Sequence, residues 1–201
     1  MTAPELADWR TYDAPTLPRV LDAALRCFAE QGYHGTSIRD LASEAGLSVP
    51  GVYHHHKSKQ EILVALVMAV MDELLGRSEA ALASAPEDPS AQFDALVESL
   101  LRFHMFRRQQ AFVASTEIRS LAPESRRQYV DRRDEQQRML DRVVVAGADA
   151  GVFGTPYPLD AARAVATLCV GVASWYREDG PLDPDELVAR HLVLARGLVQ
   201  G

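Results

Sequence analysis

"SIRDLASEAGLSVPGVYHHHKSK", running from Ser37 to Lys59, is the stretch whose reading decides the fold. Ile38, Leu41, Ala42 and Ala45 recur at helical spacing and give a short helix one apolar face. Thr36 or Ser37 stands where an N-cap is needed. Gly46 breaks the helix, because glycine enters the left-handed region of a sharp turn at no steric cost. Ser48 caps the next helix, and Pro50 is tolerated inside its first turn, where no internal N–H bond is lost. Helix, tight turn and helix within about twenty residues have the size of a helix-turn-helix, whose second helix lies in the major groove of DNA.

Helical signals extend outward from this unit in both directions. Upstream, Thr16 is placed to cap a helix carrying Leu21, Ala24, Leu25 and Phe28, with Gly32 as its stop. Downstream, Ser58-Lys59-Gln60-Glu61 is a capping box that opens a long helix through Leu63, Leu66, Val67, Val70, Leu74 and Leu75. "SAPEDPS" at Ser84–Ser90 is a turn. Further helices are expected near 90–107, 109–119, 123–150, 159–178 and 184–199. Pro123, "GVFGTPYP" (Gly151–Pro158) and "EDGPLDP" (Glu178–Pro184) punctuate them. No run alternates as a strand does. The pattern predicts an all-α protein: a tail over 1–15, a three-helix unit over 16–60 and a larger helical domain over 61–201.

Composition narrows the function. The 201 residues are 47 % hydrophobic and 24 % charged, a globular balance with enough chain to bury a core. The net charge of −7 argues, on its face, against nucleic acid. It is unevenly spread, however. Between Pro15 and Gln60, Arg19, Arg26, Arg39, Lys57 and Lys59 outnumber Asp22, Glu30, Asp40 and Glu44, so the acidity lies elsewhere. Cys27 and Cys169 each sit in an apolar stretch and read as buried, reduced thiols, which fits the cytoplasm. The N-terminus lacks the pattern of a signal peptide, and no apolar run is long enough to span a bilayer.

The residues that could carry chemistry gather at the second motif helix. Its N-terminal turn offers Ser48, Val49, Pro50, Gly51 and Val52 to base edges. Val49, Pro50 and Val52 suit thymine methyls, and Ser48 suits a base or a phosphate. Tyr53, His54, Lys57 and Lys59 are donors for the phosphate backbone. The start of the fourth helix, at Ser58 and Lys59, adds free N–H groups and a positive dipole end. Three consecutive histidines, His54, His55 and His56, also raise a metal reading. Successive helical residues are about 100° apart, whereas helical ligands sit at i and i+3 or i+4. The three therefore do not converge on one ion. No nucleophile elbow or matching carboxylate pair accompanies them. No metal, cofactor or catalytic residue is expected.

Arg19 to Leu63 as a whole, "RVLDAALRCFAEQGYHGTSIRDLASEAGLSVPGVYHHHKSKQEIL", resembles the N-terminal domain of TetR-family transcriptional regulators. The likeness lies in "AA-x-x-x-F-A-x-x-G-Y-x-G-T-S", then "I-x-D-L-A-x-x-A-G-L-S", then "G-V-Y-H-H" and "S-K". It adds Thr36 and Ser37 to the DNA-facing set. It implies a homodimer whose C-terminal helices both dimerise and enclose an effector pocket, with effector binding releasing a palindromic operator. Two positions depart from the family pattern. His56 stands where an aromatic is usual, and the tail is acidic (Glu5, Asp8, Asp13) where many relatives are basic.

The C-terminal domain resembles the effector domain of a TetR subgroup tied to fatty-acid and steroid catabolism. The elements are "E-I-R-x-L-x-P-E", "A-G-V-F" and "W-Y-R-x-D-G-x-L" before the last helix. The resemblance implies a lipophilic effector, an acyl-CoA thioester. Phe103, Met105, Phe106, Phe112, Trp175 and Tyr176 are the large side chains for such a pocket, and equally for ordinary core packing. Arg119 and Arg177, or arginines of the run Arg126–Arg142, would take the phosphates of a CoA. That run is interleaved with acidic residues and reads equally as a solvated, ion-paired face. For the dimer interface the 3–4 spacing selects Ala161, Val165, Leu168 and Val172 on one helix and Leu187, His191, Leu194 and Leu198 on the last. The alternatives are a regulator of this fold without a small-molecule effector, and an all-α enzyme using the C-terminal cavity.

Overall fold

The computed structural model describes residues 8–13 and 17–200; Glu5 and the proposed cap Thr16 lie outside them. The described residues form nine α-helices and one 3-10 turn, with no strand. In order these are α1 (Arg19–Gly35), α2 (Ile38–Glu44), α3 (Val49–His55), α4 (Lys59–Ser84), α5 (Pro89–Phe106), α6 (Arg108–Thr116), the 3-10 turn (Glu117–Ser120), α7 (Pro123–Asp149), α8 (Pro158–Trp175) and α9 (Pro184–Gln200). None of the described helices is long and apolar enough to cross a membrane.

Two compact units emerge. The smaller comprises Asp13–Asp72 and Gln109–Arg132; the larger comprises Glu73–Arg108 with 8–12 and 133–200. The smaller unit reaches past the 16–60 of the sequence reading, because it also takes the first half of α4, α6, the 3-10 turn and the start of α7.

Local chemistry shapes the smaller unit. In α1 the buried side chains are Val20, Leu21, Ala23, Ala24, Leu25, Cys27 and Phe28, an apolar stripe at helical spacing. The helix breaks at Gly32, where φ is +72° and ψ 165°. The freed Tyr33 N–H donates to Glu117 Oε1 of the 3-10 turn at 3.2 Å. Ser37 caps α2: its hydroxyl accepts from Asp40 N, and the Asp40 carboxylate accepts from Ser37 N at 2.7 Å. Hydrogen bonding of the Asp40 carboxylate to the Ser37 side chain, and then to the Ser37 backbone N–H, holds it below the usual carboxylate range. At the other end Gly46 takes φ +59°. Leu47 N donates to Ala42 O and Gly46 N to Ser43 O, the paired bonds of a Schellman stop. This turn ends α2 and leads into α3, which packs on it.

In the larger unit α5 packs on α8 and α9, which also pack on each other. Phe93, Leu96, Leu100 and Phe103 line the buried face of α5, and Phe93 meets Phe153 edge-on at 5.4 Å. Ion pairs fasten α9 to α5 from outside, Arg196 with Asp94 and Arg102 with Asp185. Cys27 and Cys169 are both free and buried.

Candidate nucleic-acid interface

The α3 helix begins at its cap, where Ser48 Oγ accepts from Gly51 N at 3.1 Å. The hydroxyl hydrogen stays available to a phosphate. Beyond the cap the helix has two faces. Val52 is fully buried and holds α3 to the unit. Val49 and Gly51 are half-buried, while Pro50, Tyr53 and His54 are exposed. Positions 50, 53 and 54 lie on one side of a helix by their i, i+3, i+4 spacing. Tyr53, at 48 % exposed, is the largest side chain on that side. The rings of His54 and His55 meet edge-on at 5.5 Å. His56 ends the helix in extended geometry, half-buried, with its N–H donating to Val52 O.

Three residues expected to face DNA are turned inward. Val52 belongs to the core and cannot reach a thymine methyl. Thr36 is 2 % exposed, and its hydroxyl donates to Gly32 O at 2.9 Å and lies 3.3 Å from Cys27 O. It ties the broken end of α1 to the entry of α2. Lys59 donates to the carbonyls of Tyr33 and Thr36, so its ammonium caps the end of α1 rather than facing solvent. Lys57 remains exposed. The start of α4 is also less free than expected: Ser58 Oγ accepts from Glu61 N, and Glu61 reaches back to Lys57 N at 2.7 Å. A carboxylate already occupies that dipole end.

Sequence reasoning passed over Arg39. It is exposed on α2, opposite the buried Leu41 and Ala42, and makes no ion pair among the described residues. The signal was present: it is the one basic residue of the first motif helix. An exposed arginine beside the capped start of α2 is suited to a backbone phosphate. The candidates left exposed are therefore Ser37, Arg39, Ser48, Pro50, Tyr53, His54 and Lys57, with Val49 and Gly51 half-buried. Among the described residues no group of three His, Cys, Asp or Glu side chains is placed to hold a metal ion.

The side chains expected for an effector site are scattered. Phe103, Met105 and Tyr176 are buried in the larger unit, and burial raises the Tyr176 hydroxyl above its ordinary pKa. Phe106 is half-buried. Trp175 is exposed and stacks on His191 at 5.7 Å. Arg177 is exposed; so are Phe112 and Arg119, which belong to the smaller unit. In the α7 run, Arg127 pairs with Glu124 of the same helix and Arg132 with Asp72 of α4. Arg126 and Arg127 also border a cleft of about 350 Å³ with Leu121, Pro123 and Val130.

The expected dimer residues divide. Ala161, Val165, Val172 and Leu187 are packed inside their own chain, and so cannot meet a second copy. Their regular spacing marks the faces that α8 and α9 bury within the larger unit. Leu168 and His191 are half-buried, and Leu194 and Leu198 are exposed. The apolar side chains left exposed on α8 and α9 include Val170, Trp175, Val193, Leu194 and Leu198.

Comparison with known proteins agrees with this geometry. Residues 20–66 match the family described as bacterial regulatory proteins, tetR family. Residues 86–199 match the tetracyclin repressor-like C-terminal domain. The HTH-type transcriptional repressor KstR2 of Mycobacterium tuberculosis is 29 % identical over 183 residues, 89 % of this chain and 90 % of that one. Its structure, described as a ketosteroid transcriptional regulator, has a TM-score of 0.81 at 24 % identity, covering 94 % and 97 % of the two chains. A tetR-family regulatory protein from Rhodococcus RHA1 gives a TM-score of 0.81 at 30 % identity, covering 90 % and 95 %. AibR, solved in complex with isovaleryl coenzyme A and operator DNA, shares the fold at 20 % identity, TM-score 0.77, covering 88 % and 97 %.

Proposed function

Because this chain belongs to the TetR family of DNA-binding transcriptional repressors, we propose that it acts as a cytoplasmic homodimer, released from a palindromic operator by a lipophilic small molecule of the acyl-CoA thioester class. The observation that carries the reading is the exposed Pro50, Tyr53, His54 face of α3, which follows the Gly46 turn, together with the exposed cations Arg39 on α2 and Lys57 just after α3. Small and apolar groups at the start of α3 read base edges by contact, while the aromatic hydroxyl and the cations hold phosphates.

Dimerisation is supported by the apolar side chains that α8 and α9 leave exposed. Pairing these faces carries two recognition helices to a two-fold operator and turns weak half-site binding into useful affinity. The effector class is supported by the company this chain keeps: a ketosteroid regulator similar over nearly its whole length, and a regulator of the same fold that holds isovaleryl coenzyme A. The effector would act by population shift, favouring a dimer whose α3 helices no longer match successive major grooves.

The test starts from a duplex selected by the protein out of a random pool. Retardation of that duplex is then challenged with branched short-chain, long-chain and steroid-derived CoA thioesters. Release by one of them at micromolar concentration is the expected result. Retention against all of them sinks the acyl-CoA assignment.

A further inference from the structure

Between Gly32 and Ser37 the chain passes from the broken end of α1 to the start of α2, where Ser37 and Arg39 are exposed. The backbone of this passage is held bond by bond. Thr36 Oγ1 donates to Gly32 O at 2.9 Å, and Lys59 donates to the carbonyls of Tyr33 and Thr36. Those partners belong to the passage itself and to the first turn of α4. The Tyr33 N–H has a partner of another kind. It donates at 3.2 Å to Glu117 Oε1 of the 3-10 turn, 84 positions along the chain but within the same smaller unit.

The turn is built to present that carboxylate. Ser120 Oγ donates to Glu117 Oε2 at 2.8 Å and lies 3.3 Å from His34 Nε2. The Gln60 amide, with its nitrogen toward Ser120 O at 3.1 Å and its oxygen toward Ala122 N at 3.2 Å, ties the far end of the turn to the first turn of α4. The turn also packs on α1. One oxygen of Glu117 is thus fixed within the turn while the other holds the peptide of Tyr33. A carboxylate repels the phosphate backbone, so on charge alone its removal would tighten DNA binding. Its placement on the passage predicts the opposite sign.

We propose that Glu117 is a positioning residue for DNA binding: through the Tyr33 N–H it fixes the Gly32–Ser37 passage, and with it the start of α2 that carries Ser37 and Arg39. The DNA-reading helices are then completed by the 3-10 turn, in keeping with a smaller unit that takes in Gln109–Arg132. The inference rests on the DNA-binding reading and is independent of the effector class.

Full-length Glu117→Ala, Glu117→Gln and Ser120→Ala proteins are titrated with the selected duplex across a range of salt, well below their melting midpoints. Glu117→Ala is expected to bind at least about fivefold more weakly than wild type, although it sheds a negative charge. Glu117→Gln, whose amide oxygen still accepts from Tyr33 N, should stay within about twofold. Ser120→Ala keeps the charge but loosens the carboxylate, and should lose about threefold. The slope of log affinity against log salt should be the same in all, since no phosphate contact is removed. Glu117→Ala with wild-type or tighter binding overturns the proposal. Equal losses in Glu117→Ala and Glu117→Gln also overturn it, because the charge and not the hydrogen bond would then matter. If Glu117→Ala does not fold, wild-type affinity in Ser120→Ala overturns it alone. A wild-type protein that selects no duplex would instead sink the DNA-binding reading.

Discussion

Lys59 Nζ donates to the carbonyl oxygen of Tyr33 at 2.6 Å. The same ammonium reaches Thr36 O at 2.7 Å and lies 4.2 Å from the centre of the Tyr33 ring. Breaking α1 at Gly32 leaves carbonyls without helical partners, and this cation satisfies two of them. Lys57, two residues earlier, is exposed.

The two lysines should therefore respond differently to truncation. Lys59→Met is expected to cost about 1–2 kcal/mol, two partly screened charge-assisted bonds, or roughly 3–6 °C in melting temperature. Its operator affinity should fall with no change in salt slope. Lys57→Ala should melt like wild type and lose about one phosphate contact from the slope. Melting curves and salt titrations decide. Equal slopes for the two variants would return Lys59 to the DNA surface.

Neighbours on α3 should separate in the same way. Tyr53→Ala removes an exposed ring and is expected to weaken operator binding about tenfold at unchanged stability. Val52→Ala opens a hole in the core and is expected to cost about 1–3 kcal/mol in chemical denaturation. A Tyr53→Ala protein with wild-type affinity would remove α3 from the phosphate backbone.

Much of this was legible in the sequence where the chemistry is local. The Ser37 and Ser48 caps, the Gly46 stop and the break at Gly32 are written in neighbouring residues, and α1 to α3 form where those signals lie. What spacing could not reveal was the direction of single side chains. Thr36 and Lys59 look like surface donors until the unsatisfied carbonyls of α1 are placed beside them, and those belong to residues up to 26 positions away. On α8, apolar residues occupy more than one face, and periodicity alone does not tell which face the chain covers itself. Arg39 was visible as a charge, but not as one without an ion pair among the described residues, which depends on what surrounds it.

His104 makes stability depend on acidity. It is fully buried on α5 with Nδ1 2.7 Å from Leu100 O, and burial lowers its pKa from the ordinary 6.5 to about 4. The folded state therefore keeps His104 neutral while the unfolded chain binds a proton below pH 6.5. Stability from this group is whole above pH 6.5 and is lost as pH falls toward 4, up to about 3 kcal/mol. A His104→Gln variant should show a shallower loss between pH 6.5 and 4 in denaturant titrations. A variant that follows the wild-type curve would place the acid sensitivity elsewhere.

The exposed end of α9 should separate assembly from folding. Leu194 and Leu198 are one turn apart and both open to solvent, while Leu187 on the same helix is fully buried. Replacing both exposed leucines with glutamate places like charges at the centre of any two-fold contact between copies, where desolvated and unpaired carboxylates are costly. Each chain should keep its helical content, because neither side chain contributes to its own core. Sedimentation should then report monomers, and affinity for the selected duplex should fall by about a hundredfold or more as the second half-site ceases to be tethered. Leu187→Ala is the contrast: it leaves the outer face untouched and should lower stability by about 2–5 kcal/mol while the protein still sediments as a dimer. A Leu194→Glu/Leu198→Glu protein that remains dimeric would move the interface off the exposed α9 face.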